Sequence, residues 1–298
     1  MDFVDYDIES YFINDFEFDT TPNRVDERVF KTGFSNLDGG LGGGLRAGSL
    51  YIVGAPPAEG KTTFALQMAW QMVEQDYAKC AFFSLEMSKK ELAARLMSHI
   101  LYKESMGKIK LCEAEILDGN YTDEHLGIVR NTMHETGYRL ELHECNLDYD
   151  VSRIIDAVTN DKGEVSHEVV FIDYLQVLAL AIKTGDMRRK VDLTLTELKR
   201  MARDLNIAVV LISNVSRMGQ KAIDDGYISF GIFKESSQIE YTADALLAMY
   251  TRSTRCADHR VVGLKCLKNR KGPNFQLSYR YKPEWNIFDT ERVIKFDS

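Results

Sequence analysis

Between the apolar run Leu50–Ala55 and a helical stripe of Phe64, Ala65, Met68, Ala69 and Met72 stands the loop Ala55, Pro56, Pro57, Ala58, Glu59, Gly60, Lys61, Thr62, Thr63. A strand that turns through such a loop directly into a helix presents a row of backbone N–H groups with no acceptor inside the helix. That geometry favours an anion, and the residue types indicate which. Lys61 would reach the β and γ oxygens of a nucleotide, and the Thr62 hydroxyl would hold magnesium. Ala55 to Thr63 therefore read as a phosphate loop for a nucleotide with Mg2+. A bare Gly-Lys-Thr is weak, and its placement between strand and helix is what sets it apart from an ordinary turn. The strict pattern has Gly at position 55, where this chain has Ala55, with Gly54 one step early.

From Phe30 onward, predicted strands alternate with helices, the pattern of an α/β fold whose twisted, mostly parallel sheet is flanked by helices on both faces. The expected strands are Leu50–Ala55, Cys80–Leu85, Leu140–Glu144, Val169–Leu175, Ala208–Ser213, Ala245–Tyr250, Val261–Leu267 and Phe275–Tyr281. The last two flank the turn Asn269 to Pro273, so the sheet should end in antiparallel hairpins. Ser88 with Glu91 forms a capping box ahead of Leu92, Leu96 and Ile100, and Leu198, Met201, Ala202 and Leu205 form another packing stripe. Residues Gly39 to Gly44 supply a flexible turn, and no helix opens behind them as a dinucleotide fingerprint would need. The domain reading is an arm over residues 1–29 and one α/β domain over 30–298.

The formal charge is −8, but residues 1–20 carry seven acids and no Lys or Arg, which leaves the remaining 278 residues at −1. A protein that coats DNA by bulk charge is excluded, whereas a local basic groove is not. The same arm holds Phe3, Tyr6, Tyr11, Phe12, Phe16 and Phe18. It reads either as a solvated tail or as a segment docking on a neighbouring subunit or partner. Five scattered cysteines never form a Cys-x-x-Cys pair, and Cys256 with His259 supplies two ligands where a structural zinc site takes four. With no apolar run long enough to cross a bilayer and no signal-peptide start, the expected setting is a reducing cytoplasm, bacterial or phage-infected.

Three strand ends carry further chemistry. Val169 to Asp173 ends an apolar run in an acid, and a carboxylate there calls for a cation such as the magnesium of a bound nucleotide; alone it would read as a cap. Phe82 to Met87 places Glu86 at the end of a strand on the loop's edge of the sheet, where it would polarise an attacking water or merely precede the Ser88 cap. Asn214 ends the run from Val209 and would sense the γ-phosphate, or is a simple strand-end amide.

Together with Thr32-Gly33-Phe34, Leu37-Asp38, Ser84-Leu85-Glu86-Met87, Ile172-Asp173-Tyr174-Leu175-Gln176, Glu235-Ser236, Ile239-Glu240, Ala243-Asp244 and Lys268 to Pro273, these elements resemble the C-terminal motor of DnaB-family replicative helicases, over about residues 30 to 290. The resemblance implies a RecA-like P-loop NTPase core that hydrolyses ATP between the subunits of a ring, usually a hexamer. It also implies single-stranded DNA in the channel and movement 5′ to 3′. It makes Glu86 the catalytic glutamate and Asp173 the magnesium-shell aspartate. Asn214 takes the place of a usual Gln, and Lys268 and Arg270 act in the neighbour's site, with Arg270 as the arginine finger. A basic hairpin facing solvent is the plainer reading of the last two.

The family's DNA loop corresponds to Lys234, Glu235, Ser236 and Ser237. Lys in place of Arg loses the two-pronged grip on phosphate, and Ser in place of Gly hinders backbone approach, so weaker DNA affinity is expected. Arg188, Arg189 and Lys190, with Lys183, precede a helix and face either the channel or solvent. The family's N-terminal collar, which recruits primase, needs more than the roughly 30 residues found here, so the acidic aromatic arm is expected to replace the linker helix in assembly. Deletion of residues 1–20 that left the assembly state unchanged would refute this. Primase and a helicase loader are the partners the resemblance implies. The rival reading is an ATP-switched DNA-binding assembly factor or recombination mediator without processive unwinding; a third is the motor part of a primase–helicase whose primase lies on another chain.

Overall fold

A computed structural model of the chain describes residues 28–183, 185–233, 237–255 and 259–296. Strand β1 (Val29–Phe30), helix α1 (Ser35–Gly40) and strand β2 (Leu45–Arg46) come first, with β1 and β2 forming a small antiparallel pair. The alternating part follows: β3 (Leu50–Ala55), α2 (Lys61–Glu74), β4 (Cys80–Ser84), α3 (Lys89–Glu104), α4 (Glu113–Leu117), α5 (Asp123–Glu135), β5 (Leu140–Glu144) and α6 (Val151–Val158). It continues with β6 (Val169–Asp173), α7 (Leu175–Leu178), α8 (Met187–Asp204), β7 (Ala208–Asn214), α9 (Arg217–Asp224) and α10 (Ser237–Thr242). The chain closes with β8 (Ala245–Arg255), β9 (Arg260–Asn269), β10 (Phe275–Lys282) and β11 (Ile287–Phe296).

One nine-stranded sheet runs in the order β11-β10-β9-β8-β3-β7-β6-β4-β5. The strands from β8 to β5 in that order are parallel, and β9, β10 and β11 fold back antiparallel. Each expected strand is present. β6 stops at Asp173 rather than Leu175 because Leu175 opens α7, and β4 stops at Ser84. Strand β11 was not anticipated. Its pairing with β10 carries it, because the acids and Arg within it hide an alternating pattern.

The capping box is formed: Ser88 Oγ accepts from Glu91 N, and Glu91 Oε2 accepts from Ser88 N. Helix α2 is buried almost all round, from Thr63 to Val73 except Gln71, instead of along one stripe. Phe64 stacks on Phe34 with centroids 4.9 Å apart and meets Tyr279 and Phe288 edge-on at 5.4 and 5.3 Å. Gln67 satisfies its buried amide on both the N–H and the carbonyl of Phe288, which ties β11 to α2. The opposite face of the sheet is covered by α8 through Val191, Leu195, Leu198, Met201 and Ala202. Among the described residues no helix is long and apolar enough to cross a membrane, no cluster of His, Cys, Asp and Glu could hold a metal, and Cys80, Cys112, Cys145 and Cys266 are free.

Candidate active site

The C-terminal ends of β3, β7, β6 and β4 share one edge of the sheet, so the residues that follow these strands meet there despite their distance in sequence. Glu86 follows β4, which is separated from β3 by β7 and β6; because all four strands are parallel, it still stands at the loop's edge of the sheet, as expected.

The loop after β3 is held in shape by the antiparallel extension. Gly60, at the start of α2, has φ +84°, and a Cβ there would stand 2.8 Å from the Tyr281 ring and 3.0 Å from Phe288. No other residue fits. Ala58 also adopts positive φ, its carbonyl accepting from Arg260 Nη1 at 3.2 Å, while Glu59 accepts from the Thr251 hydroxyl. Arg260 also lies over the Tyr281 ring, 5.7 Å from its centroid. Ala55, in the place of the expected glycine, is the buried last residue of β3 and pairs with Asn214.

Lys61 Nζ donates to Ala55 O (3.1 Å), Pro56 O (3.2 Å) and Asn214 Oδ1 (2.6 Å). Burial lowers the pKa of this ammonium, and the carboxylates of Asp173, Glu86 and Glu59 push it back up. Thr62 Oγ1 donates to Asp173 Oδ2 at 2.5 Å. Burial of Asp173 raises its pKa to about 6; Glu86 adds to the shift, whereas the Thr62 hydroxyl and Lys61 oppose it. Hydroxyl and carboxylate oxygens at this edge are the hard donors that suit magnesium.

Asn214 is fixed by a residue that the sequence offered only as part of a motif. Gln176 accepts from Asn214 N at 3.1 Å and donates to Ser213 Oγ and Asn214 O, both at 3.1 Å. A cleft of about 410 Å³ opens over this group, and Lys61, Thr62, Glu86, Arg95, Asn214 and Tyr281 are among its walls. Glu86 is exposed at the rim. Arg95, paired with Glu113 at 2.8 Å, and Tyr281 escaped sequence reading, since one looks like a surface charge on a helix and the other like a strand residue.

The remaining predicted residues lie elsewhere. β9 runs antiparallel to β8, so Lys268 and Arg270 emerge where β3 begins, at the edge opposite the loop. Arg188, Arg189 and Lys190 occupy the first turn of α8 instead of preceding it, with Arg188 and Arg189 exposed. Lys234, Glu235 and Ser236 lie outside the described residues, as do residues 1–27 of the arm and Cys256; Val29, at the end of the arm, belongs to β1, and Ser237 opens α10.

A strand that turns through a glycine loop into a buried helix, on a mostly parallel sheet of this order flanked by helices, is the α/β core of RecA-like proteins. Residues 30–290 match the model of the DnaB-like helicase C terminal domain, and the chain belongs to that family. It is 28% identical over 261 residues to the replicative DNA helicase DnaC of Bacillus subtilis (strain 168), covering 86% of this chain and 55% of that protein. The chain thus spans about half the length of the curated relatives it matches. The fold is similar to the ATPase domain of G40P, with TM-score 0.71 and 24% identity over 90% of this chain and 94% of that one. It is also similar to a solved DnaB-like replicative helicase described with its interactions with primase, with TM-score 0.73 and 23% identity over 94% and 65% of the two chains.

Proposed function

We propose that this chain is the ATP-hydrolysing motor of a replicative-type DNA helicase, moving on single-stranded DNA as a ring of copies. The observation that carries the reading is a divided site. Lys61, Thr62, Asn214 and Glu86 line one cleft with Asp173 buried behind Thr62, while Arg270 and Lys268 stand at the opposite edge of the same sheet. A chain built this way completes a site by stacking against a second copy.

In that site the loop amides and Lys61 bind the triphosphate, and Lys61 exchanges its present carbonyl and Asn214 acceptors for phosphate oxygens. Thr62 and Asp173 would hold magnesium, which neutralises charge on the phosphates. Glu86 accepts a proton from the attacking water, and Asn214, held by Gln176, contacts the γ-phosphate. Arg270 of the adjacent copy stabilises the charge that develops, an effect worth roughly 10³ to 10⁵ in rate. Arg188, Arg189, Lys190 and the segment Lys234, Glu235, Ser236, Ser237 contact DNA phosphates, with little information on sequence. Primase and a loader are the further partners this reading implies, in a bacterial or phage replication setting.

The deciding experiment is strand displacement on a forked duplex with ATP and magnesium. Displacement that is lost in Lys61→Ala supports the motor. Hydrolysis stimulated by single strands without displacement would support the assembly-factor reading instead.

A further inference from the structure

Asp244 lies immediately before β8, whose first residue, Ala245, pairs with Tyr51 near the start of β3. The phosphate loop is therefore at the far end of β3, roughly 17 Å away at about 3.3 Å per residue. The Asp244 side chain is 13% exposed and gathers three partners. Its Oδ2 accepts from Leu50 N at 2.8 Å and from Lys199 Nζ at 2.5 Å, and its Oδ1 accepts from Arg270 Nη1 at 3.3 Å.

Arg270 is tied at two further points. Its backbone N donates to Asp244 O at 2.9 Å, and Nη2 donates to Tyr241 O at 2.8 Å. Two acceptors on two different nitrogens fix the plane of the guanidinium, which a single contact would leave free to turn. Of its five N–H donors, two are engaged and three remain for an anion. At 49% side-chain exposure the group faces outward, away from its own cleft. Lys268 is anchored beside it, donating to Glu240 O at 2.6 Å and Tyr241 O at 3.2 Å.

Resting on the reading of Arg270 as a finger for a second copy, we infer that Asp244 is the positioning residue of that finger, anchored by Leu50 N and Lys199 so that Arg270 is presented to the neighbour's triphosphate. If Asp244 served only its own fold, Leu50 N and Lys199 would account for its carboxylate without Arg270. The bridge from Asp244 through the guanidinium to Tyr241 O is the part that such a role leaves unexplained.

The test uses the assembled chain with ATP and magnesium. Asp244→Asn is expected to bind nucleotide with little change in KM, because it stands at the far edge, and to lose about 10²-fold in kcat through misplacement of Arg270. Mixed with Glu86→Gln chains, it should regain hydrolysis, since the cleft of one variant then faces the intact finger of the other. A defect confined to the fold of the Asp244→Asn chain would gain nothing from mixing. Arg270→Ala mixed with Glu86→Gln is the control for the finger itself. Recovery in the control but not with Asp244→Asn, or a parental rate for Asp244→Asn alone, overturns the inference. Recovery in neither mixture removes the finger reading, and this inference with it. If Asp244→Asn fails to hold nucleotide, Asp244→Glu, which keeps a charge beside Lys199, is judged by the same outcomes.

Discussion

Lys61 has its three donors engaged by two loop carbonyls and Asn214, so in the proposed site phosphate binding would be an exchange of acceptors and not the filling of a gap. Lys61→Ala should therefore abolish hydrolysis by removing the only cation of the loop itself. Glu86→Gln should behave differently: nucleotide binding persists while turnover stops, as read by equilibrium binding against steady-state hydrolysis. Normal turnover in Glu86→Gln would take Glu86 out of the mechanism. A second expectation concerns His99, whose Nδ1 lies 3.1 Å from Asn286 O and whose Nε2 is buried without a hydrogen-bond partner. Burial lowers its pKa from the ordinary 6.5 to about 4. The unfolded chain takes up this proton first as pH falls, so the stabilisation is complete above pH 6.5 and is lost on acidification toward 4. The size is on the order of 3 kcal/mol. His99→Gln should flatten the acid limb of unfolding free energy over that window; an unchanged slope would contradict the assignment.

At the scale of elements, the antiparallel extension β8 to β11 does more than widen the sheet. It supplies Thr251, Arg260, Tyr281 and Phe288 around the phosphate loop. Arg260→Ala removes a donor to Ala58 O and a cation over Tyr281, contacts outside the reacting groups. The expected outcome is a several-fold rise in KM for ATP with kcat nearly unchanged, checked by steady-state kinetics. A fall in kcat at constant KM would place Arg260 in the chemistry instead. The core of this architecture was legible because its signals are local. Apolar runs ending in Asp173 or at Glu86, and a Gly-Lys-Thr between a strand and a helix, can be read without partners, whereas the crowding of Gly60 by Tyr281 and Phe288 cannot. β11, Gln176 and Arg95 were not, since each acquires its role from a residue far along the chain: Gln67 with Phe288, Asn214 and Glu113. Arg188 to Lys190 fell just inside α8 because Asp186, three residues before Arg189, caps it.

For the whole molecule, the sheet itself separates the two halves of the chemistry. Because β9 returns antiparallel to β8, a cation after β9 cannot reach the cleft after β3 of its own chain, so the site proposed here belongs to two copies at once. The most direct measurement is the rate of ATP hydrolysis per chain as protein concentration is varied, with assembly state followed in parallel by light scattering. The rate per chain should be low for monomer and rise with assembly. Full hydrolysis by material that remains monomeric would contradict the account.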